Sequence, residues 1–158
     1  IEMGISDMFF SNIDLSNVTS EEVANFIMQA EEKGIKFNKD LTTDLIIYAD
    51  EDRIRQVIIN LLSNALKFSP DNSEITVRTY KDNDYAVLEI EDKGKGVLPT
   101  EQERVFEKFY KKDSRDGTGL GLSICKSIIE AHNGIINVRS DGKKGSCFYF
   151  KLPTVDKS

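Results

Sequence analysis

Apolar residues recur at helical spacing across the middle of the chain. Ile54, Val57, Ile58, Leu61, Leu62 and Ala65 fall on one stripe of a helix that Asp50 caps and that runs to about Phe68, ahead of Pro70. A second stripe, Val23, Phe26, Ile27 and Ala30, follows the capping-box sequence Thr19-Ser-Glu-Glu22 and stops at Gly34. Further helices are predicted over residues 120–133, ended by Gly134, and over a short stretch from the cap Thr100-Glu-Gln-Glu103 toward Phe109. Strand patterns occupy residues 35–37, 45–49, 74–80, 85–91, 135–140 and 147–152. Ile75, Val77 and Thr79 share one face of their strand, and Ala86, Leu88 and Ile90 oppose Tyr85, Val87 and Glu89 on the next. Asn83-Asp84 predicts a hairpin between these two strands, and residues 141–145 predict another between the last two. Residues 1–14 read as a tail or linker, 15–153 as one domain and 154–158 as a C-terminal tail. About four helices and five to six strands, arriving mostly as hairpins, predict an α/β two-layer sandwich. Its mixed, mostly antiparallel sheet would be covered on one face by helices.

A length of 158 residues suits one domain with a sizeable core. Apolar content is 39%, there is no run of about 18 apolar residues, and no signal-peptide pattern stands out, so the chain reads as soluble. The net charge of -6 argues against a nucleic-acid partner. Lys108, Lys111, Lys112 and Arg115 form one local basic group, which reads equally as a solvated loop. Cys125 and Cys147 are too few and too far apart for a metal site and are predicted to be reduced core thiols in a cytosolic protein. The start at Ile1 predicts a piece of something longer.

Three segments carry candidate chemistry. At about 100° per residue, Asn60, Asn64 and Lys67 lie on one flank of the predicted 51–68 helix, beside its apolar stripe. A neutral amide oxygen at Asn64 suits Mg²⁺, which takes the rest of its shell from water and phosphates. Asn60 is placed to bond a coordinated water or a phosphate, and Lys67 to offer phosphate a point charge. A solvated helix flank accounts for the same residues. Asp92-Lys-Gly-Lys-Gly96 leaves a strand; its carboxylate can accept from an exocyclic amine such as adenine N6, and Gly94 and Gly96 let backbone approach a flat ring. An ordinary turn is the competing reading. Gly117-Thr-Gly-Leu-Gly121 opens a helix whose first amides attract phosphate, yet it is neither a Walker motif nor a dinucleotide fingerprint.

Taken in order, the segments resemble the catalytic and ATP-binding domain of sensor histidine kinases, in the superfamily that also holds type II topoisomerase, mismatch-repair and heat-shock chaperone ATPases. The 60–68 stretch resembles the N box, Asp92–Gly96 the first glycine box and 117–122 the second, while Val105-Phe-Glu-Lys-Phe-Tyr110 resembles the kinases' F box. The resemblance covers roughly residues 15–153 and implies a Bergerat-type ATP-binding fold with ATP and Mg²⁺ as cofactors. It implies that Asn64 ligates the metal, assisted by Asn60, that Lys67 meets phosphate and that Phe68 packs near the adenine. Asp92 would bind adenine N6, with Gly94, Gly96 and Val97 lining the base. Phe109, Tyr110 and Lys111 would lead into a short lid over residues 110–116. Gly117, Thr118, Gly119, Leu120, Gly121 and Leu122 would hinge that lid and present amides to phosphate. Lys111 stands where some relatives carry Arg, which removes a bidentate fork.

The hydrolysing branches and the serine-kinase relatives carry Glu one turn before the metal-binding Asn. Asn60 cannot serve as that general base, so the resemblance implies transfer to a nucleophile supplied elsewhere. That nucleophile would be a histidine on a dimerisation helix hairpin outside this chain, with a response regulator as the later partner. The lone His132, at a predicted helix end, reads as structural, favoured there by the helix dipole. The chain is therefore expected to bind Mg-ATP as a monomer without phosphorylating itself. It would be cytoplasmic, whether or not the parent is membrane-attached. A docking module that has lost ATP, and an ATPase or serine kinase of the same fold, are the competing readings.

Overall fold

The computed structural model describes residues 7–108, 121–140 and 144–155. Along the chain lie β1 (Phe10–Asp14), α1 (Leu15–Asn25), α2 (Ile27–Glu32), β2 (Lys36–Leu41), β3 (Ile46–Asp50), α3 (Glu51–Phe68), β4 (Glu74–Asp82) and β5 (Tyr85–Asp92). Then come α4 (Pro99–Gln102), α5 (Gly121–Ala131), β6 (Ile135–Arg139) and β7 (Ser146–Pro153). One five-stranded sheet has the order β2-β4-β5-β7-β6, and β1 with β3 forms a separate two-stranded ribbon. Among the described residues, β2 and β4 run parallel and the other pairs are antiparallel. The architecture is the mixed α/β arrangement that the hairpin pattern predicts.

Period-two alternation divides the large sheet into two faces. Ile75, Val77, Leu88, Ile90, Phe148 and Phe150 are buried in the core that α3 and α5 complete. The opposite face buries a carboxylate instead. Glu89, 5% exposed, accepts from Arg78 and Tyr80 of β4 and from Arg139 of β6. Burial alone would raise its pKa, but Arg139, Tyr80 and Arg78 together hold it below the ordinary carboxylate value.

Helix α3 is the central element. Its stripe Ile54, Val57, Ile58, Leu61, Leu62, Ala65 and Leu66 is buried throughout. Asp50 caps its start, Oδ1 accepting from Arg53 N at 3.2 Å and Oδ2 from Phe9 N at 3.1 Å. At the other end the Lys33 ammonium donates to the carbonyls of Leu66 at 2.6 Å and Ser69 at 3.1 Å. Carbonyls that the helix leaves without partners are thereby satisfied by a cation, which the helix dipole also favours.

The structure departs from the local patterns in several places. Asp14, not Thr19, caps the first helix, accepting from Ser16 N at 3.0 Å. Thr19 is buried inside α1, its hydroxyl without a partner among the described residues, and Glu22 is drawn to Arg55 at 2.8 Å. The helical stripe breaks at Phe26 into two helices. Phe10–Asp14, within the stretch read as a tail, pairs with β3. β2 extends to Leu41 because β4 offers it a parallel ladder, which no hairpin logic anticipates. α4 starts at Pro99, so Thr100 lies inside it rather than capping it. Both cysteines are free and buried, as the sequence predicts.

His132 is structural for a different reason from the helix dipole. Its Nδ1–H donates to the Ile128 carbonyl at 2.7 Å, and Nε2 accepts the Asp50 amide at 3.1 Å. Its ring lies 5.1 Å from that of Phe10. The ring thus ties the end of α5 to the start of α3 and to the ribbon, and it does so only when neutral. Burial lowers its pKa from the ordinary 6.5, against smaller opposing contributions from Ile128 and Asp50. The unfolded chain therefore takes up this proton first. Stability owed to His132 is complete above pH 6.5 and is lost as pH falls below it. Unfolding free energy is expected to decline as pH falls below 6.5, with a slope of at most about 1.4 kcal/mol per pH unit from this proton. His132→Gln should flatten that slope in denaturant titrations; an equal slope in the variant would contradict the neutral latch.

Candidate functional site

The stripe that α3 buries leaves a second flank beside it. Asn60, Asn64 and Phe68 on that flank are half-buried and Lys67 is exposed. The Asn60 amide donates to the Gly121 carbonyl at 3.4 Å and lies 3.6 Å from Cys125 Sγ, so it fastens the start of α5 to α3. Burial pushes the Cys125 thiol up to about 12, which keeps it protonated. Leu122, one residue into α5, packs against the core.

Asp92 ends β5 and is 4% exposed. One carboxylate oxygen accepts from Gly94 N at 2.8 Å and the other from Ser146 Oγ at 2.9 Å. An ionised carboxylate offers about four lone-pair sites, so these two bonds do not by themselves saturate it. Gly94 lies against the end of α3: a Cβ there would sit 2.6 Å from the Phe68 carbonyl oxygen. Gly145 is equally constrained, because its Cβ would lie 2.1 Å from the Asp92 carbonyl oxygen. Its amide donates to the Gly94 carbonyl at 2.5 Å. Gly96 has a φ of +83°, and Val97 after it is buried. Three segments far apart in sequence thus meet around the C-terminal half of α3.

Of the residues singled out from sequence, Asn60, Asn64, Lys67, Phe68, Asp92, Gly94, Gly96, Val97, Gly121 and Leu122 are described in these positions. Phe109, Tyr110, Lys111, Lys112, Arg115, Gly117, Thr118, Gly119 and Leu120 lie outside the described residues. Ser146 escaped the sequence reading. Its only signal is register: it stands directly opposite Asp92 when β5 and β7 pair.

The donor set is a row of neutral amides and a lysine on α3, with a buried carboxylate at the end of β5. Among the described residues no group of three or more His, Cys, Asp or Glu could hold a metal. A divalent cation at Asn64 would therefore draw most of its ligands from water and phosphate, as Mg²⁺ does. Among the described residues, no helix is long and apolar enough to cross a membrane.

Comparison with known proteins bears on this arrangement. The family described as histidine kinase-, DNA gyrase B-, and HSP90-like ATPases matches residues 49–156. The adaptive-response sensory kinase SasA of Gloeothece citriformis is 44% identical over 130 residues, which is 79% of this chain and 33% of that protein. The chain thus spans about a third of the length of that relative. The nucleotide-free catalytic domain of histidine kinase ThkA superposes with a TM-score of 0.85 at 30% identity, covering 92% of this chain and 96% of that one. ThkA in complex with the response regulator TrrA superposes with a TM-score of 0.81 at 27% identity, over 92% of this chain and 42% of that one.

Gly94→Ala puts a methyl group against the Phe68 carbonyl. It is expected to lower stability by about 1–3 kcal/mol, as overpacking does, in denaturant unfolding. A variant as stable as the parent would mean that the loop is not pressed onto α3.

Proposed function

The chain belongs to the family of histidine kinase-, DNA gyrase B- and HSP90-like ATPases, as a histidine kinase catalytic domain, and on that premise we propose that it binds Mg-ATP and delivers the γ-phosphate to a histidine outside it. The observation that carries this reading is the meeting of Asp92, the Asn60–Asn64–Lys67 flank and the start of α5 around one half of α3. Adenine would lie against Asp92, its N6 donating to the carboxylate that Gly94 and Ser146 already orient. Gly94, Gly96 and Val97 would border the ring, with Phe68 beside it. Asn64 would hold Mg²⁺, with Asn60 on a coordinated water. When bound, the ion would supply positive charge that offsets the charge of the phosphates. Lys67 and the 117–122 segment would add a cation and backbone amides. Phe109 would precede the proposed lid, and Tyr110 and Lys111 would belong to it.

Catalysis in such a site is positioning and charge stabilisation. No carboxylate occupies the position of Asn60, so the side chain there orients rather than deprotonates. The chain's own histidine is an unsuitable acceptor, because His132 is buried with both ring nitrogens engaged. The phosphoacceptor helix therefore belongs to the dimerisation region of the parent kinase, and the isolated chain stays unphosphorylated in ATP. The ThkA–TrrA complex supports a response regulator as the later partner. A cytoplasmic location suits a domain that uses ATP, with 15–153 as the catalytic unit and β1 paired onto it.

Asp92→Asn replaces a charged acceptor with a neutral amide. ATP affinity is expected to fall about ten- to a hundredfold, the worth of one charge-assisted hydrogen bond. Calorimetric titration with ATP and GTP checks this. If both bind the variant as they bind the parent, adenine does not rest on Asp92.

A further inference from the structure

Two residues outside the four motifs hold the first glycine loop. Val97, at the end of that loop, has both backbone groups engaged by them. Its amide donates to Ser140 Oγ at 2.9 Å, and its carbonyl accepts from Gln102 Nε2 at 3.1 Å. The same Gln102 nitrogen donates to the Ser140 carbonyl at 2.9 Å, which uses both of its hydrogens. Ser140 Oγ in turn donates to the Gly145 carbonyl at 2.8 Å. Gly145 closes the ring through its bond to Gly94. One side chain from α4 and one from the end of β6 thus lock a loop that has no ladder of its own.

We propose that Gln102 and Ser140 are positioning residues for purine recognition. They hold residues 94–97 in place beside Asp92, so that the groups assigned to border the base are set before nucleotide arrives. Neither touches the base. Their contribution is preorganisation: a loop already ordered loses less freedom on binding. The Val97 amide and carbonyl, left without such partners, would turn to another acceptor and another donor and shift the loop. The inference rests on the assignment of adenine to Asp92.

Gln102→Leu keeps the volume and removes both donors, and Ser140→Ala removes the hydroxyl. In titrations of each variant with ATP and GTP, ATP affinity is expected to fall about tenfold. GTP lacks the amine that Asp92 selects, and its affinity should stay within about twofold. The preference for ATP then narrows, whereas simple loosening of the fold would weaken both nucleotides alike. Ser140→Thr keeps the hydroxyl and should retain the parental preference. If Gln102→Leu does not fold, Ser140→Ala decides alone. A parent that prefers ATP beside variants with the same preference overturns the inference. A parent that does not distinguish ATP from GTP overturns the Asp92 assignment and this inference with it.

Discussion

Burial of one stripe of α3 sets the rotation of that helix, and the site depends on that rotation. Seven residues of the stripe are buried. At roughly 1.5–3 kcal/mol for each large aliphatic side chain, a rotation that exposed even three of them would cost about 5–9 kcal/mol. The direction of the flank bearing Asn60, Asn64 and Lys67 is therefore set by the packing of the core. Polar residues able to hold a cation need no separate scaffold, because hydrophobic burial next to them aims them.

Both ends of α3 are also held. Asp50 and the neutral His132 fix its start, and the Lys33 ammonium satisfies its final carbonyls. The last turn matters most, since the Phe68 carbonyl forms the surface against which Gly94 lies. A shift there would move the loop, and Asp92 with it. The buried Glu89 network on the far face ties β4, β5 and β6 together and so steadies the strand that ends in Asp92. A floor of this kind suits a reaction that proceeds by alignment rather than by a protein base.

Much of this was legible in the chain because its signals are local and periodic. The α3 stripe, the alternation in β4 and β5, and the Asn83 turn (φ +54°) each announce one element. The candidate residues could be ordered because residue type and spacing match a chemistry. Features that depend on distant pairing could not be read. β1 carries Ser11 and Asn12 and looks like a linker until β3 lies beside it. Thr19-Ser-Glu-Glu22 satisfies a capping pattern, but Asp14 starts the helix earlier and burial of Thr19 overrides the pattern. Ser146, Ser140 and Gln102 support the Asp92 loop across sequence separations that no local rule inspects.

Asn64 is the proposed contact between α3 and a divalent cation carried by the nucleotide. Calorimetric titration of the parent and of Asn64→Ala with ATP, each with and without Mg²⁺, tests it most directly. The parent should bind more tightly with Mg²⁺ present. The variant, with its fold intact because Asn64 is not among the core residues, should lose that magnesium-dependent gain. Equal magnesium-dependent tightening in both chains would contradict the account and place the metal elsewhere.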